Sequence, residues 1–226
     1  MAEFAPITID VISDVVCPWC YIGSRRLARA LEIAQDVPVE VHWRPYQLDP
    51  TIPPGGVDRK AYMEGKFGSE ERIRQMHDSV ANAARGDGIA FAFDDITVSP
   101  NTLDAHRLIR WAGASGPDMQ GRVVRRLFRS YFEEGRDVGS AEVLVDVARD
   151  AGMDASVVEP LLASDADGAA VRQEIETAAR MGVTGVPCFL LEGRYAVMGA
   201  QESATLADAI RQVSGAKARG ELDQAE

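Results

Sequence analysis

Residues 7 to 45 switch periodicity twice, and that switch restricts the fold more than any other feature of the chain. In "ITIDVIS", Ile7, Ile9 and Val11 alternate with Thr8 and Asp10, the period of a half-buried strand. Leu27, Ala30, Leu31 and Ala34 then recur at helical spacing. "VPVEVHWRP" alternates again, with Val39, Val41 and Trp43 on one face and Glu40, His42 and Arg44 on the other. Strand, helix and strand in this order make a β-α-β unit.

"LDPTIPPGGVD" breaks the pattern, and from about Arg59 to Met181 the chain reads almost wholly as helices, a short extended "IAFAF" excepted. Ile73, Met76, His77 and Val80 mark one stripe; Leu103, His106, Leu108 and Trp111 a second; Val143, Leu144 and Val147 a third. After the helix "VRQEIETAARMG", the segment "VTGVPCFLLEGRYAVMGAQ" holds two apolar runs around Glu192-Gly193, which suits a hairpin. The helix "ESATLADAIRQV" follows, and the small polar tail "SGAKARGELDQAE" is expected to fray. This order predicts an α/β chain: a thioredoxin-like fold with an inserted all-helical domain. Residues 1–51 and 167–226 would form the discontinuous thioredoxin-like domain and residues 52–166 the insertion, packed on the active-site side of the sheet so as to leave a cleft.

At 226 residues, 46% hydrophobic and 26% charged, the chain has enough apolar sequence to bury a substantial core. A formal net charge of -11 argues against nucleic acid and anionic lipid as partners. The local clusters Arg25, Arg26, Arg29 and Arg122, Arg125, Arg126, Arg129 read as solvated helix faces. "MAEFAPITID" lacks a basic n-region and an apolar h-region, and no stretch approaches the ~20 apolar residues of a membrane span, so a cytoplasmic location is expected.

Against that background, Cys17 and Cys20 stand two residues apart in "SDVVCPWCYIG", where strand passes into helix. Three cysteines are too few for a disulfide scaffold. A zinc site needs four ligands, whereas the remaining thiol, Cys188, is alone and His42, His77 and His106 form no pair, so no metal is expected. The redox reading has a physical basis: a first cysteine at a helix N-terminus lies beside unpaired amides, and the dipole there favours its thiolate, the attacking species. The second lies about one turn deeper, within bridging reach. Pro18 and Trp19 between them add no charge.

"SDVVCPWCYIG", "GVTGVPCFLLEGRYAVMGAQ" and the middle segment "SPNTLDAHRLIRWAG" together resemble the DsbA-like branch of the thioredoxin superfamily, in particular FrnE-like proteins related to 2-hydroxychromene-2-carboxylate isomerases. The resemblance implies a thiol-disulfide oxidoreductase, with Cys17 the exposed nucleophile and Cys20 the buried resolving thiol. It makes Pro18 and Trp19 supporting residues and Pro187 a cis-proline beside the pair, leaving the backbone of Val186 to meet an extended substrate. Only ~5% of X-Pro bonds in folded proteins are cis, so that assignment rests on the resemblance. The substrate would be a disulfide or thiol in a protein, a peptide or glutathione. No bound cofactor is implied, with glutathione a candidate co-substrate.

Serine typically stands at the position of Cys17 in the isomerases and the kappa-class glutathione transferases, so the cysteine favours dithiol-disulfide exchange. A glutathione-dependent isomerase or transferase is the first alternative and a non-catalytic peptide-binding chaperone the second. Asn101 and His106 are candidate substrate-binding residues; Asn101 also reads as a turn or helix N-cap residue, and His106 on its apolar stripe reads foremost as a hydrogen-bonded core histidine. Trp111, Phe128, Tyr131 and Phe132 either line an apolar groove or belong to the core. Strand alternation turns Cys188, directly after Pro187, toward the other face of the sheet, as a small buried hydrophobe.

Overall fold

A computed structural model of the protein describes residues 6–224. The opening MAEFA, part of the segment read above as lacking a leader's features, and the last two residues of the tail lie outside that range. Along the chain, β1 (Ile7–Ser13), α1 (Pro18–Ile33) and β2 (Val39–Pro45) form the expected β-α-β unit, Ile7 lying opposite Val39 in a parallel pair. The middle of the chain carries β3 (Val57–Asp58), α2 (Arg59–Phe67), α3 (Glu70–Ala83), β4 (Val98–Ser99), α4 (Leu103–Ala114), α5 (Pro117–Phe132), α6 (Ala141–Ala151) and α7 (Ala155–Leu162). Helix α8 (Gly168–Arg180) returns to the hairpin β5 (Cys188–Leu191) and β6 (Tyr195–Met198), and α9 (Ser203–Ala218) ends the series. The main sheet has the order β2-β1-β5-β6, with β5 and β6 antiparallel to their neighbours.

Three details depart from the sequence reading. The insertion is not wholly helical apart from the extended "IAFAF": β3 and β4 pair across it, Val57 opposite Ser99, in a ladder too short to leave an alternating pattern. The tail does not fray where expected: α9 continues through Ala218, the Lys217 ammonium donates to the Pro6 carbonyl and pairs with Glu192, and Leu222 is buried. Arg26 is no solvated face residue. Its guanidinium pairs with Asp87 at 3.0 Å and donates to the carbonyls of Ala83 and Ala200, tying α1 to the end of α3 and to the loop before α9.

The insertion shares one core with the sheet. Tyr21 of α1 stacks on Phe128 of α5, with ring centroids 5.1 Å apart, and Trp43 of β2 meets Phe128 edge-on. Strand β2 is an edge, with backbone groups that have no neighbouring strand. Gln120 of α5 meets them: its Oε1 accepts the Trp43 amide at 2.9 Å and its Nε2 donates to the Trp43 carbonyl at 3.2 Å. An amide side chain thus substitutes for the missing strand and fixes the insertion against β2.

Where α1 crosses β5 the approach is tighter than a side chain meets without a neighbour giving way. A Cβ at Gly23 would stand 3.0 Å from Pro187 Cγ and 3.1 Å from Phe189 Cζ. Glycine in the middle of α1, despite its unfavourable helix propensity of about 1 kcal/mol, lets the helix sit directly on the segment that carries Val186 and Pro187.

Candidate active site

Pro18 occupies the first turn of α1, where its missing N-H costs no helical bond, and this leaves Cys17 as the N-cap. The Cys17 amide donates to the Asp14 carbonyl, and the Cys17 carbonyl accepts from Cys20 and Tyr21, so the two cysteines are held one turn apart. Both are free thiols. The peptide bond between Val186 and Pro187 is cis, and the Cys17 thiol donates to the Val186 carbonyl across 3.8 Å. No first-turn amide of α1 donates to the Cys17 sulfur.

Cys17 is not exposed, contrary to expectation: 5% of its surface reaches solvent. The cause is the insertion, whose helices fold over the start of α1 and convert open surface into a cavity of about 400 Å³. Cys17, Pro18, Trp19 and Val186 line it on one side; Arg59, Tyr62, Met63 and His77, from α2 and α3, and Tyr131 of α5 line the other.

Cys20 is more deeply buried, and burial first, then its hydrogen bond with Cys17 and the negative potential of Cys17 and Asp14, raise its thiol well above the ordinary value. The Asp14 amide opposes this shift. A stability prediction follows, with its sign set by linkage. Below the unfolded thiol's value of ~8.5 both states keep the proton; above it the unfolded chain ionises first. The reduced protein should therefore lose stability as the pH rises through 8.5, until the folded thiol titrates too. Denaturant midpoints of the reduced protein at pH 7.5 and 9.5, set against Cys20→Ala, measure the effect. An equal fall in the variant would assign the loss to other groups.

Asp14, which no sequence argument singled out, is buried and lines the same cavity. Its Oδ2 accepts the Leu48 amide at 2.8 Å, and its Oδ1, without a hydrogen-bond partner, lies 3.5 Å from His106 Nε2. The available signal was its place in "SDVVC", the one acid beside the cysteine motif. His106 Nε2 donates to the Tyr46 carbonyl at 2.8 Å, so this histidine is tied into the interior, and it does not line the Cys17 cavity.

Asn101 is likewise spent internally. Its Oδ1 accepts from the Leu103 amide and Gln47 Nε2, and its Nδ2 donates to the Ile52 carbonyl. Those bonds make it a turn residue ahead of α4, and it is absent from the cavity wall although Pro100 and Thr102 are on it. Of the four aromatics weighed as groove residues, only Tyr131 reaches the cavity. Phe128 and Phe132 are core, and Trp111 donates to Asp167 on another face. Cys188 packs with Ile12 and Ala178, apart from the main core that holds Phe189, and burial raises its thiol as well.

Residues 8–211 match the DSBA-like thioredoxin domain, and the chain belongs to that family. It is 32% identical to a probable DsbA oxidoreductase, SCO1869 of Streptomyces coelicolor, over 92% of this chain and 90% of that one, with a TM-score of 0.84. It is also 26% identical to the uncharacterized protein YwbO of Bacillus subtilis, covering 82% of this chain and 86% of that one. A 2-hydroxychromene-2-carboxylate isomerase shares the fold, with a TM-score of 0.67 at 17% identity, over 97% of this chain and all of that one. Among the described residues no helix is long and apolar enough to cross a membrane.

Proposed function

We propose that the protein is a thiol-disulfide oxidoreductase working through Cys17 and Cys20. The observation that carries this is their asymmetry: one thiol at the head of α1 opens onto a cavity, and the other, a turn deeper, is kept protonated by its burial. Cys17 as thiolate attacks one sulfur of a substrate disulfide. The S-S bond breaks, and the departing thiolate takes a proton from solvent. Cys20 then gives up its proton, attacks Cys17 Sγ and expels the second thiolate, leaving a Cys17-Cys20 disulfide and a substrate reduced by two electrons. Run backwards, the same steps oxidise a dithiol. Glutathione, as a thiol that resets the pair, is the candidate co-substrate.

The test is turnover of a small disulfide with dithiothreitol as reductant, compared with the Cys17→Ser variant. Turnover above the uncatalysed rate, lost in the variant, is expected. Glutathione binding without any dithiol turnover would instead support the isomerase reading, which the shared fold suits and a cysteine at residue 17, in place of the isomerases' serine, disfavours.

A further inference from the structure

Two polar groups on the wall of the Cys17 cavity are incompletely matched among the described residues: a guanidinium without a carboxylate and an imidazole nitrogen without a hydrogen bond. Arg59, half-buried at the start of α2, lines the cavity and donates from Nη1 to the Tyr131 hydroxyl at 2.9 Å, its guanidinium carbon 5.7 Å from the centre of that ring. Among the described residues no carboxylate lies within 4.0 Å of it, whereas Lys66 on the same wall has Asp49 at 3.9 Å and the Tyr62 hydroxyl at 2.7 Å. His77, from α3, stacks on Phe93 at 4.1 Å, and its buried Nε2 has no hydrogen-bond partner. Burial first, and then the positive charge of Arg59, hold the pKa of this imidazole down against the opposing pull of Asp94 and Asp78. A fixed, unpaired cation beside an orphaned imidazole nitrogen, both set among Met63, Phe67, Met76 and Phe93, is a poor arrangement for an empty cavity and a good one for an anion.

The acids on the wall do not supply that anion. Asp49 is engaged by Thr51, Tyr62 and Lys66, and Asp14 stands at the Cys17 end, held by the Leu48 amide and near His106. The volume, about 400 Å³, lies within the ~300–1,000 Å³ range of small-molecule sites. With Cys17 5% exposed, a disulfide inside a folded protein could reach the sulfur only by inserting a loop.

We propose that this cavity takes a low-molecular-weight organic disulfide with an apolar body and an anionic group, the body lying against α2 and α3 and the anion bound by Arg59. The inference rests on Cys17 as the nucleophile of the exchange, and it names what that nucleophile is built to attack. In a single turnover the reduced protein passes two electrons to the disulfide, closes its own Cys17-Cys20 bond and releases two thiolates.

The probes are 5,5′-dithiobis(2-nitrobenzoate), which carries carboxylates, and neutral 4,4′-dithiodipyridine, each rate being normalised to that of free cysteine with the same probe. The protein should favour the anionic probe about tenfold, and Arg59→Met should remove that preference, slowing the anionic probe about tenfold more than the neutral one. Equal slowing of both probes, no change with either, or reduction of insulin as fast as of the small probes would overturn the proposal. A second measurement needs neither a variant nor a redox step. 2-Naphthoate should protect Cys17 of the wild-type protein from iodoacetamide, and naphthalene-2-methanol should not; equal protection would overturn the proposed anion site. Naphthoate protection with no Cys17-Cys20 disulfide formed by either probe would overturn the oxidoreductase reading and leave the anion site standing.

Discussion

The Cys20→Ser protein is expected to accumulate as a stable mixed disulfide through Cys17 when offered a small disulfide, and the Cys17→Ser protein to trap almost nothing. The asymmetry follows from position. Cys17 lines the cavity, so it is the sulfur a substrate meets; Cys20 is sealed behind it with a thiol held protonated, which suits it to attack only the adjacent Cys17 bond. Removing Cys20 leaves the first step intact and deletes the second, so turnover should stop after one event with one substrate thiol retained. Removing Cys17 deletes the nucleophile itself, a loss of roughly a thousandfold or more in turnover. Intact mass, before and after dithiothreitol, reads the adduct directly. Trapping by the Cys17 variant would reverse the roles, and trapping by neither would remove them.

The largest effect on stability is expected from Arg107, which lies buried on α4, three residues beyond Asp104. Its guanidinium donates to the carbonyls of Leu161, Ser164 and Ala166 at 2.7, 2.9 and 2.6 Å. Leu161 lies in the last turn of α7, where its carbonyl also accepts from the Ser164 amide and hydroxyl; Ser164 and Ala166 lie in the link into α8, outside any helical ladder. The ion pair with Asp104 contributes little, because that carboxylate is 43% exposed and screened by water. The carbonyls decide the outcome. Arg107→Leu strips the Ser164 and Ala166 carbonyls of their donor, while the Leu161 carbonyl keeps the Ser164 amide and hydroxyl; at ~1–3 kcal/mol for each acceptor left unsatisfied, a loss of about 2–4 kcal/mol is expected after partial rescue by water. That is a large share of a typical stability of ~5–15 kcal/mol. Chemical denaturation should show a lowered midpoint with an unchanged slope. Arg107→Lys should recover only part of it, since one ammonium cannot reproduce the planar fork. A loss below ~1 kcal/mol in Arg107→Leu would show that these carbonyls find other donors.

Local features of this protein were legible in its sequence, and features made by closure were not. The alternation of Ile7, Ile9 and Val11 and the break at Glu192-Gly193 each encode one element through neighbours a few residues away, and each appears where the pattern puts it. The motif from Cys17 to Cys20 likewise lies within the first turn of α1. Burial of Cys17 is different, because it depends on α2, α3 and α5 arriving over α1, and the cavity residues Arg59, His77 and Tyr131 span 72 positions with no period linking Arg59 to Tyr131. Asn101 and His106 show the limit from the other side. Polar residues near a family motif invite a substrate role, but in the folded chain Gln47, Ile52, Leu103 and Tyr46 already hold them.

Dithiol exchange at this site requires that Cys17 and Cys20 form a reversible disulfide. Equilibration of the protein across a series of glutathione redox buffers, followed by acid quenching, alkylation and peptide mapping, tests this directly. The predicted result is a single two-electron transition that joins Cys17 to Cys20 and leaves Cys188, buried with Ile12 and Ala178, as a free thiol throughout. Persistence of both Cys17 and Cys20 as thiols under fully oxidising conditions, or a bridge that involves Cys188 instead, would contradict it.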